Sequence, residues 1–442
     1  MTARALFPDI ASLWQETAID PPALKPLEGD HQYDVVIVGG GYTGLSTARY
    51  LAAKGLSPIV LEASRIGWGA SGRNGGVVSA KYRLPLSRVA ARHGLEMAQI
   101  MRRLSLESVE HIEKLVAAYS LEAAQYRKNG SLHCAHNATS LEYCAKEAHW
   151  LAAELGERSL HVMSARQMQE ETGSPDFVGG VLDTGGGLLH PLNFARGFAR
   201  GLQAEGITLS ESSPVTGIRR VANGVVVHTS HGTVTAKQVV LATNGYSTLT
   251  SATDAVRKCV VPFRSAMLAT EPLTGQKLQL LRHARSYTET RRMMRWFRMA
   301  GDRLLYGGRG AFGTDDSSTA YEALHRAMIK QFPTLAETTI SHRWSGLVAL
   351  TVDSVPQVGR LDDRIVYAMG YNGTGVAMSS YIGMHVAEVV AGSTPELGLV
   401  WADRVRRIPF IHYGCRWFGS LQAGISFWMP SGVDPGLLVQ TI

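Results

Sequence analysis

The chain has 442 residues and a formal net charge of +7, and its basic residues are scattered without a nucleic-acid motif, so no nucleic-acid partner is expected. Its length predicts two domains, or one large domain with insertions. No apolar run approaches the ~18 residues of a membrane helix and residues 1–30 lack the apolar core of a signal peptide, which predicts a cytoplasmic protein. The four cysteines show no C-x-x-C spacing and no neighbouring His at metal-ligand intervals, so no metal site is predicted.

The first recognisable unit in the chain is a strand, a glycine turn, a helix and a second strand. Residues 34–38 (DVVIV) are predicted as a buried parallel strand, and residues 45–54 (LSTARYLAAK) as a helix that ends at Gly55. Residues 59–61 form the next strand, which ends at Glu62. This order is the βαβ unit of a dinucleotide-binding fold.

The turn between that strand and helix satisfies G-x-G-x-x-G through Gly39, Gly41 and Gly44. In this pattern the first glycine makes the tight turn, the second lets the backbone approach a pyrophosphate, and the third allows close helix–strand packing. Glu62 is placed to accept hydrogen bonds from the adenosine ribose. FAD and NAD both use such a turn, and a glycine turn beside a surface Glu is the structural alternative.

Beyond Glu62, residues 63–76 (ASRIGWGASGRNGG) suit backbone contacts along an extended anionic cofactor, with a mobile surface loop as the other interpretation. A helix is predicted over residues 191–205, beginning at a proline and ending before a glycine. Strands are predicted at 225–227 and 237–247. Residues 364–392 repeat the order of strand, glycine turn and amphipathic helix, so this helix N-terminus should face an electron-rich group.

Four stretches carry a resemblance to a known family: GWGASGRNGG at 67–76, ATEPL at 269–273, WSG at 344–346 and GYNGTGVAMS at 370–379. Over about residues 30–395 the chain resembles the glycine oxidase/D-amino acid oxidase superfamily of FAD-dependent oxidoreductases, and within it the γ-glutamylputrescine oxidoreductases. The resemblance implies an α/β (α+β) fold, in which a Rossmann-like FAD-binding domain of discontinuous segments receives an inserted, mainly antiparallel substrate-binding domain.

The resemblance also divides the chain. The FAD-binding domain is expected at 30–88, 188–256 and 352–395, the substrate-binding domain at 89–187 and 257–351, and a C-terminal tail at 396–442. The tail mixes basic and aromatic residues, so one alternative seats it on a membrane, where it passes electrons to a quinone. Because Pro409 and Gly414 interrupt any long helix there, we expect instead a segment packed on the substrate domain or a second subunit, without membrane association.

The resemblance implies FAD that is bound non-covalently, since neither Cys nor His occurs in 63–76 or 364–380. Contacts with the AMP and pyrophosphate are expected from Gly39, Gly41, Tyr42, Thr43, Gly44, Glu62, Ala63 and Arg65. Along the path to the flavin the expected residues are Ser71, Arg73, Asn74, Gly75 and Gly76. Val215 and Ala242 should bracket the adenine, with Thr243 in the same cofactor-binding set. The isoalloxazine edge should meet Gly373, Thr374, Gly375 and Val376.

A hairpin is predicted within residues 295–310, turning at 300–302. Its aromatic side chains could line a substrate pocket or belong to the core. We take Trp296 and Tyr306, together with Trp344, as pocket candidates. No catalytic base is predicted, because a dry aromatic pocket lowers the pKa of an ammonium through desolvation.

Enzymes of the resembled type transfer a hydride from the carbon beside an amine to flavin N5, and water hydrolyses the resulting imine. Their amino-acid oxidases carry Gly-x-Arg-Pro, whose Arg binds the substrate α-carboxylate. The matching stretch here is GLVA at 346–349, so the Arg is missing. This predicts an amine without an adjacent carboxylate, of the γ-glutamylated diamine or polyamine type, with O2 as the expected acceptor.

Alternatives stay open at the level of sequence. Arg298, Arg309 or Arg343 could replace the missing Arg from another direction, which would allow an imino or N-methyl amino acid oxidase or dehydrogenase. A flavoprotein subunit that carries electrons without oxidising amines is a further class. Lys81, Lys258 and Lys277 are candidates for a cation that activates oxygen, and spacing does not choose among them.

Overall fold

The structure is a computed structural model that describes residues 10–312 and 318–408. The side chain of Arg309 and the tail from residue 409 onward lie outside the described residues. The described helices are α1 (Leu13–Glu16), α2 (Tyr42–Ala53), α3 (Leu86–His93), α4 (Leu95–Ala118), α5 (Ala138–Leu155), α6 (Ala165–Thr172), α7 (Pro191–Ala204), α8 (Asp254–Arg257), α9 (Ser318–Gln331) and α10 (Gly375–Val390). None of these helices is long and apolar enough to cross a membrane.

One sheet of nine strands carries the glycine turn. Its strands are β1 (Gly29–Val38), β2 (Pro58–Leu61), β8 (Thr208–Ser210), β9 (Gly217–Val221), β10 (Gly224–His228), β11 (Gly232–Leu241), β17 (Gln357–Arg360), β18 (Ile365–Met369) and β19 (Trp401–Ala402). The strands follow the order β19-β17-β18-β11-β1-β2-β8, and those from β18 to β8 are parallel to one another. Strand β10 also pairs with β11, and β9 pairs with β10, both in antiparallel orientation. The sheet therefore assembles from segments far apart in sequence, as the resemblance implies.

The predicted βαβ unit is present with β1, α2 and β2. Val36 and Ile37 have no exposed surface because both faces of β1 are covered: Ile37 lies in one core cluster with Leu45 of α2, and Val36 lies in another with Val225 of β10. Helix α2 begins at Tyr42, three residues earlier than predicted, and Gly55 closes its C-terminal end with φ +77°. The two regularities of the sequence, a buried apolar run and a helical period, were therefore sufficient to find these elements.

The second large sheet has eight strands and is mainly antiparallel. They are β4 (Ser131–Ala135), β5 (Leu160–Ser164), β6 (Gly179–Asp183), β12 (Val261–Thr270), β13 (Ser286–Glu289), β14 (Arg295–Ala300), β15 (Arg303–Phe312) and β16 (Ile340–Leu350). Their order is β16-β12-β15-β14-β13-β4-β6-β5, with one parallel pair, β13 and β4. The predicted hairpin joins β14 to β15 through Gly301 and Asp302, and Gly301 takes φ +60°. A small sheet pairs β3 (Val77–Val78) with β7 (Gly187–Leu188).

The two faces of the eight-stranded sheet differ. One face packs against α6 and α9 and holds Tyr287, Phe297 and Tyr306, and we call it the helix-covered face. The opposite face, which we call the inner face, carries Trp296 and Trp344. Because side chains alternate along a strand, neighbours such as Trp296 and Phe297 point to opposite faces. The inner face contacts the loop at residues 67–76, so it borders the glycine-turn region.

Candidate functional site

The glycine turn ends β1 and begins helix α2 at an N-cap residue that has no side chain. Gly39 has φ +111°, and a methyl group on Gly44 would lie 2.0 Å from the carbonyl oxygen of Gly39. A Cβ on Gly41 would lie 2.8 Å from Ser71 Oγ, and no side chain caps the first turn from Gly41, the N-cap residue. The Tyr42 N–H donates to Ser71 Oγ at 3.1 Å. The unpaired N–H groups and the positive end of the helix dipole suit an anion.

Glu62 lies beside this turn at the end of β2. Its Oε2 accepts the Gly40 N–H at 2.7 Å, and its Oε1 accepts the Ser64 N–H at 2.9 Å. Burial raises the pKa of the Glu62 carboxyl, and these two backbone hydrogen bonds oppose the rise. Ala63 follows half-buried, whereas Arg65 is exposed. The carboxylate is thus fixed in orientation by the turn that it adjoins.

The loop at 67–76 is held by its own side chains. Asn74 Nδ2 donates to the carbonyl oxygens of Ala70 and Ser71, each at 3.0 Å, and its Oδ1 accepts the Gly76 N–H at 2.7 Å. The Arg73 guanidinium stacks over the Trp68 ring at 4.1 Å. Only 9% of the Arg73 surface is exposed. A mobile surface loop, the alternative from sequence, does not describe this packed segment.

A second helix N-terminus meets the first. Helix α10 begins at Gly375 without a side-chain cap. It follows Gly373, whose φ is +90° and around which a methyl group would meet no atom of the described residues within 4 Å. Thr374 is half-buried and Val376 is buried. The Tyr371 hydroxyl and Thr43 Oγ1 are 2.6 Å apart and join the starts of α10 and α2.

The residues expected near the adenine lie around β11. The Ala242 N–H donates to the Val38 carbonyl at 2.9 Å, which places it against the glycine turn, and Thr243 Oγ1 is 2.6 Å from Ser247 Oγ. Val215 is buried, and its carbonyl accepts the Thr250 hydroxyl at 2.8 Å. The structure therefore brings Ala242 and Thr243 to the turn, while Val215 lies in the adjoining segment after β8.

Three tryptophans surround the inner face. Trp344 Nε1–H donates to the carbonyl of Arg73 at 2.9 Å, and Trp296 Nε1–H donates to Met267 Sδ at 3.0 Å. Trp14 of α1 donates to the carbonyl of Asn74 at 2.8 Å. Trp296 and Trp344 thus adjoin the 67–76 loop. The sequence interpretation missed Trp14, although an apolar Leu-Trp pair in a polar N-terminal stretch was a usable signal.

Tyr306 lies elsewhere. It is fully buried on the helix-covered face, where its hydroxyl donates to Gln331 Oε1 at 2.7 Å and its ring stacks on Phe297 at 5.8 Å. The structure therefore does not bring Tyr306 together with Trp296 and Trp344. We do not carry it forward as a pocket residue.

The arginines that could replace the missing one are also separated. Arg298 lies on the inner face, where its Nη1 donates to the carbonyls of Gly75 at 3.0 Å and Leu189 at 2.8 Å. Burial, with repulsion from Arg127, lowers the pKa of Arg298 to about 9. Arg343 is exposed and precedes Trp344, so it points to the opposite face. By the same alternation Val348 shares the inner face with Trp344 and adds no charge there.

The three candidate lysines lie in different surroundings. Lys277 Nζ donates to Thr338 Oγ1 at 2.8 Å beside an open groove of about 610 Å³. Lys258 follows α8, and its carbonyl accepts the Ile408 N–H at 2.8 Å. Lys81 follows β3, and burial lowers its pKa. Among the residues that the structure describes, no group of three or more His, Cys, Asp or Glu could hold a metal ion.

A dinucleotide-type glycine turn joined to a second, mainly antiparallel sheet is the architecture that the resemblance to FAD-dependent oxidoreductases implies. Residues 34–389 match the family described as FAD dependent oxidoreductase, and the chain belongs to it. γ-Glutamylputrescine oxidoreductase of Escherichia coli is 32% identical over 395 residues, which cover 87% of this chain and 92% of that protein. Glycine oxidase from Geobacillus kaustophilus has a similar structure, with TM-score 0.71 at 21% identity over 85% of this chain and 99% of that one. The structure of L-proline dehydrogenase from P. horikoshii is also similar, with a TM-score of 0.69 at 20% identity. The match covers 89% of this chain and 99% of that one.

The residues present fit FAD as the cofactor. Two helix N-termini without side-chain caps meet through Thr43 and Tyr371, which suits a long molecule with a central pyrophosphate. At Gly41 the missing side chain leaves room for a phosphate to approach the backbone, and at Gly44 a methyl group would clash with the Gly39 carbonyl, so glycine there permits the close packing of α2 on β1. The carboxylate of Glu62, held by the N–H groups of Gly40 and Ser64, would be the group that faces the ribose hydroxyls. The enzyme is therefore a flavoprotein.

Proposed function

We propose that this enzyme oxidises the C–N bond of an amine that lacks an α-carboxylate, of the γ-glutamylated diamine type, and passes the electrons to O2. The observation that carries the proposal is the uncharged inner-face position Val348, where the resembled amino-acid oxidases place a carboxylate-binding Arg. A substrate carboxylate left unpaired in a desolvated pocket would cost several kcal/mol. The 32% identity to a γ-glutamylputrescine oxidoreductase supports the same substrate class.

FAD would be held by residues from three parts of the chain. The N-terminus of α2 with Gly39, Gly41 and Glu62 would bind its AMP and pyrophosphate, and Ser71 to Gly76 would run along its length. The N-terminus of α10, from Gly373 to Val376, would face the flavin. Neither Cys nor His occurs in these loops, so the proposal has FAD bound non-covalently.

Bound FAD supplies the two-electron acceptor for the hydride that leaves the amine-bearing carbon. The protein positions that carbon and keeps water away from it. Trp296 and Trp344 form apolar walls, and the desolvation that they impose lowers the pKa of a substrate ammonium, which favours the neutral amine that can release a hydride. The overall change is RCH2NH2 + O2 + H2O giving RCHO + NH3 + H2O2, in which the C–N bond breaks only after oxidation.

The experiment is product analysis with the purified holoenzyme in air. With γ-glutamylputrescine we expect an aldehyde, ammonia and hydrogen peroxide in equal amounts, and with sarcosine and proline no turnover. Turnover of sarcosine or proline in preference to the diamine derivative would assign the enzyme to imino or N-methyl amino acids. Binding of FAD without turnover of any amine would support the electron-carrying alternative.

A further inference from the structure

Three consecutive peptide carbonyls of the loop at residues 67–76 accept hydrogen bonds from side chains. The pairs are Trp344 Nε1–H with Arg73 at 2.9 Å, Trp14 Nε1–H with Asn74 at 2.8 Å, and Arg298 Nη1 with Gly75 at 3.0 Å. The three donors lie on one side of the loop, since Trp14 and Trp344 share a cluster on the inner face and the Arg298 guanidinium lies 5.5 Å from the Trp14 ring. These carbonyls therefore point toward the inner face.

Two N–H groups of the same loop point the other way. In a trans peptide group the C=O and the N–H of the next residue point in opposite directions, so the Asn74 and Gly75 N–H groups face away from the two indoles. Within residues 10–312 and 318–408 neither N–H has a hydrogen-bond acceptor. The next N–H, that of Gly76, donates to Asn74 Oδ1 at 2.7 Å. Because nearly all backbone N–H groups inside proteins are paired, these two half-buried donors suit an acceptor on a bound molecule.

The position of these donors along the loop indicates which part of FAD they meet. At one end of the loop, Ser71 Oγ accepts the Tyr42 N–H at 3.1 Å, beside the helix N-terminus that suits the pyrophosphate. At the other end, a Cβ on Gly75 would lie 3.4 Å from Cδ1 of Trp296, a wall of the proposed substrate pocket. The Asn74 and Gly75 N–H groups therefore lie toward the flavin end of the cofactor, away from the phosphates.

Trp14 reaches the loop from the N-terminal segment at residues 10–28, which we call the strap. Only 2% of the Trp14 surface is exposed. Two residues further along, Glu16 Oε2 lies 2.8 Å from His342 Nε2 on β16, and the Ile19 N–H donates to a side chain of α7 at 2.8 Å. The strap is thus fastened both to the second sheet and to α7, which fixes the indole against the loop.

From this arrangement we propose that Trp14 is a positioning residue for the flavin. Through the Asn74 carbonyl it aims the Gly75 N–H at an acceptor atom of the bound isoalloxazine ring, and Trp344 aims the Asn74 N–H in the same way. The strap thereby takes part, through the loop, in setting how readily the bound flavin is reduced. The proposal concerns FAD alone and does not depend on which amine is oxidised.

The expected effect follows from the charge on the ring. A hydride brings two electrons and one proton, so it leaves the neutral isoalloxazine with one negative charge unless a second proton follows. That charge spreads over nitrogen and oxygen atoms of the ring, where N–H donors stabilise it, and such hydrogen bonds tune the electronics of the cofactor. Aimed donors therefore raise the midpoint potential of the bound flavin, and their loss lowers it.

The test measures the two-electron midpoint potential of the holoenzyme by stepwise reduction beside a reference dye. Trp14→Phe keeps an apolar ring and removes the indole N–H. We expect the ratio of reduced to oxidised flavin at a fixed potential to fall about threefold, which is about 14 mV for a two-electron couple. Trp344→Phe should lower the ratio by a similar factor, and the double variant should lower it about tenfold, which is about 30 mV.

Trp401→Phe is the matched control. The Trp401 indole donates to Asp403 Oδ1 at 2.8 Å, so this variant also loses one indole hydrogen bond, but not one to the loop. It should leave the midpoint potential unchanged. The free energy of unfolding and the dissociation constant of FAD are measured for every variant, since lower stability alone does not alter the potential of flavin that stays bound. If Trp14→Phe does not retain FAD, Trp344→Phe tests the same aim of the loop.

Each outcome decides the proposal. An unchanged or raised midpoint potential in the Trp14 and Trp344 variants overturns it, because the indoles then only stabilise the fold or the N–H groups face another part of FAD. An equal fall in Trp401→Phe also overturns it. A fall confined to the Trp14 and Trp344 variants supports it. No amine enters these measurements, so either result leaves the proposed amine oxidation to its own test.

Discussion

Protonation of His190 should weaken the fold, because this residue joins the N-terminal segment to the candidate site. Its Nδ1 accepts the Asn193 N–H at 3.1 Å as the N-cap of α7, and its Nε2 lies 3.0 Å from Thr17 Oγ1. The ring contacts Trp14 at 4.7 Å between centroids, and 5% of the residue is exposed. Burial, with repulsion from Arg298, lowers the pKa of His190 from 6.5 to about 4.

The sign and size of the effect follow from this shift. Between pH 6.5 and 4 the unfolded chain binds a proton at His190 and the folded chain does not, so stability is complete above pH 6.5 and falls as the pH falls toward 4. A shift of about 2.5 units at 1.36 kcal/mol per unit gives a loss of about 3 kcal/mol in the free energy of unfolding. His190→Asn keeps an N-cap acceptor and removes the titration, so it should remove this loss.

The assay is urea unfolding of the holoenzyme and of His190→Asn at several pH values between 4 and 7.5. The free energy of unfolding of the variant relative to the parent should rise by about 3 kcal/mol as the pH falls from 6.5 to 4. His161→Asn, at an exposed position of β5, should follow the parent. Parallel curves for His190→Asn and the parent would refute the assignment of a neutral, capping imidazole.

Three further changes test other parts of the structure. Gly44→Ala places a methyl group 2.0 Å from the Gly39 carbonyl oxygen and should abolish FAD binding, measured as flavin per purified chain, whereas Gly55→Ala, whose methyl group would meet no described atom within 4 Å, should retain FAD. Trp14→Phe removes the hydrogen bond to the Asn74 carbonyl and should lower the free energy of unfolding, measured by urea titration, by about 1–2 kcal/mol. An unchanged free energy of unfolding would show that this contact does not anchor α1 to the site. Val348→Arg should raise the rate of sarcosine oxidation at least about tenfold above the background given by the parent enzyme, as one charge-assisted hydrogen bond would, while the exposed Val352→Arg should not.

The order of the first βαβ unit could be predicted because its signals are local. Val36 and Ile37 belong to a strand buried on both faces, and such strands are continuous apolar runs. A residue with a side chain cannot replace Gly44, because Gly44 packs directly on the backbone of Gly39. The spacing of the glycines was therefore a reliable signal for the turn. The hairpin at Gly301 was likewise predicted from residues that are neighbours in the sequence. These elements depend on neighbours in sequence, so one sequence is enough to place them.

The face of each pocket residue was harder to predict, although the sequence held more information than was used. A two-residue turn at Gly301-Asp302 pairs Ala300 with Arg303, and this register places Tyr306 opposite Phe297. Directly paired residues share a face, so Tyr306 had to lie on the side away from Trp296. The pocket prediction for Tyr306 considered its residue type and omitted this register.

Other parts of the site depend on contacts between distant segments, and a local pattern does not report which segments meet. Trp14 reaches the carbonyl of Asn74 from 60 residues away, and nothing in its own segment indicates that partner. Helices α4, α5, α6 and α9 were also not predicted, since they position the sheets without carrying a motif.

The central claim is oxidation of an amine that lacks an α-carboxylate, and an anaerobic titration tests it most directly. γ-Glutamylputrescine, putrescine and glycine would each be added to the purified yellow enzyme while the visible flavin absorbance is recorded, and air would then be admitted. The account predicts bleaching by γ-glutamylputrescine, none by glycine, and return of the colour in air. Bleaching by glycine would contradict the argument from Val348, and no bleaching by either amine would contradict the assignment as an amine oxidase.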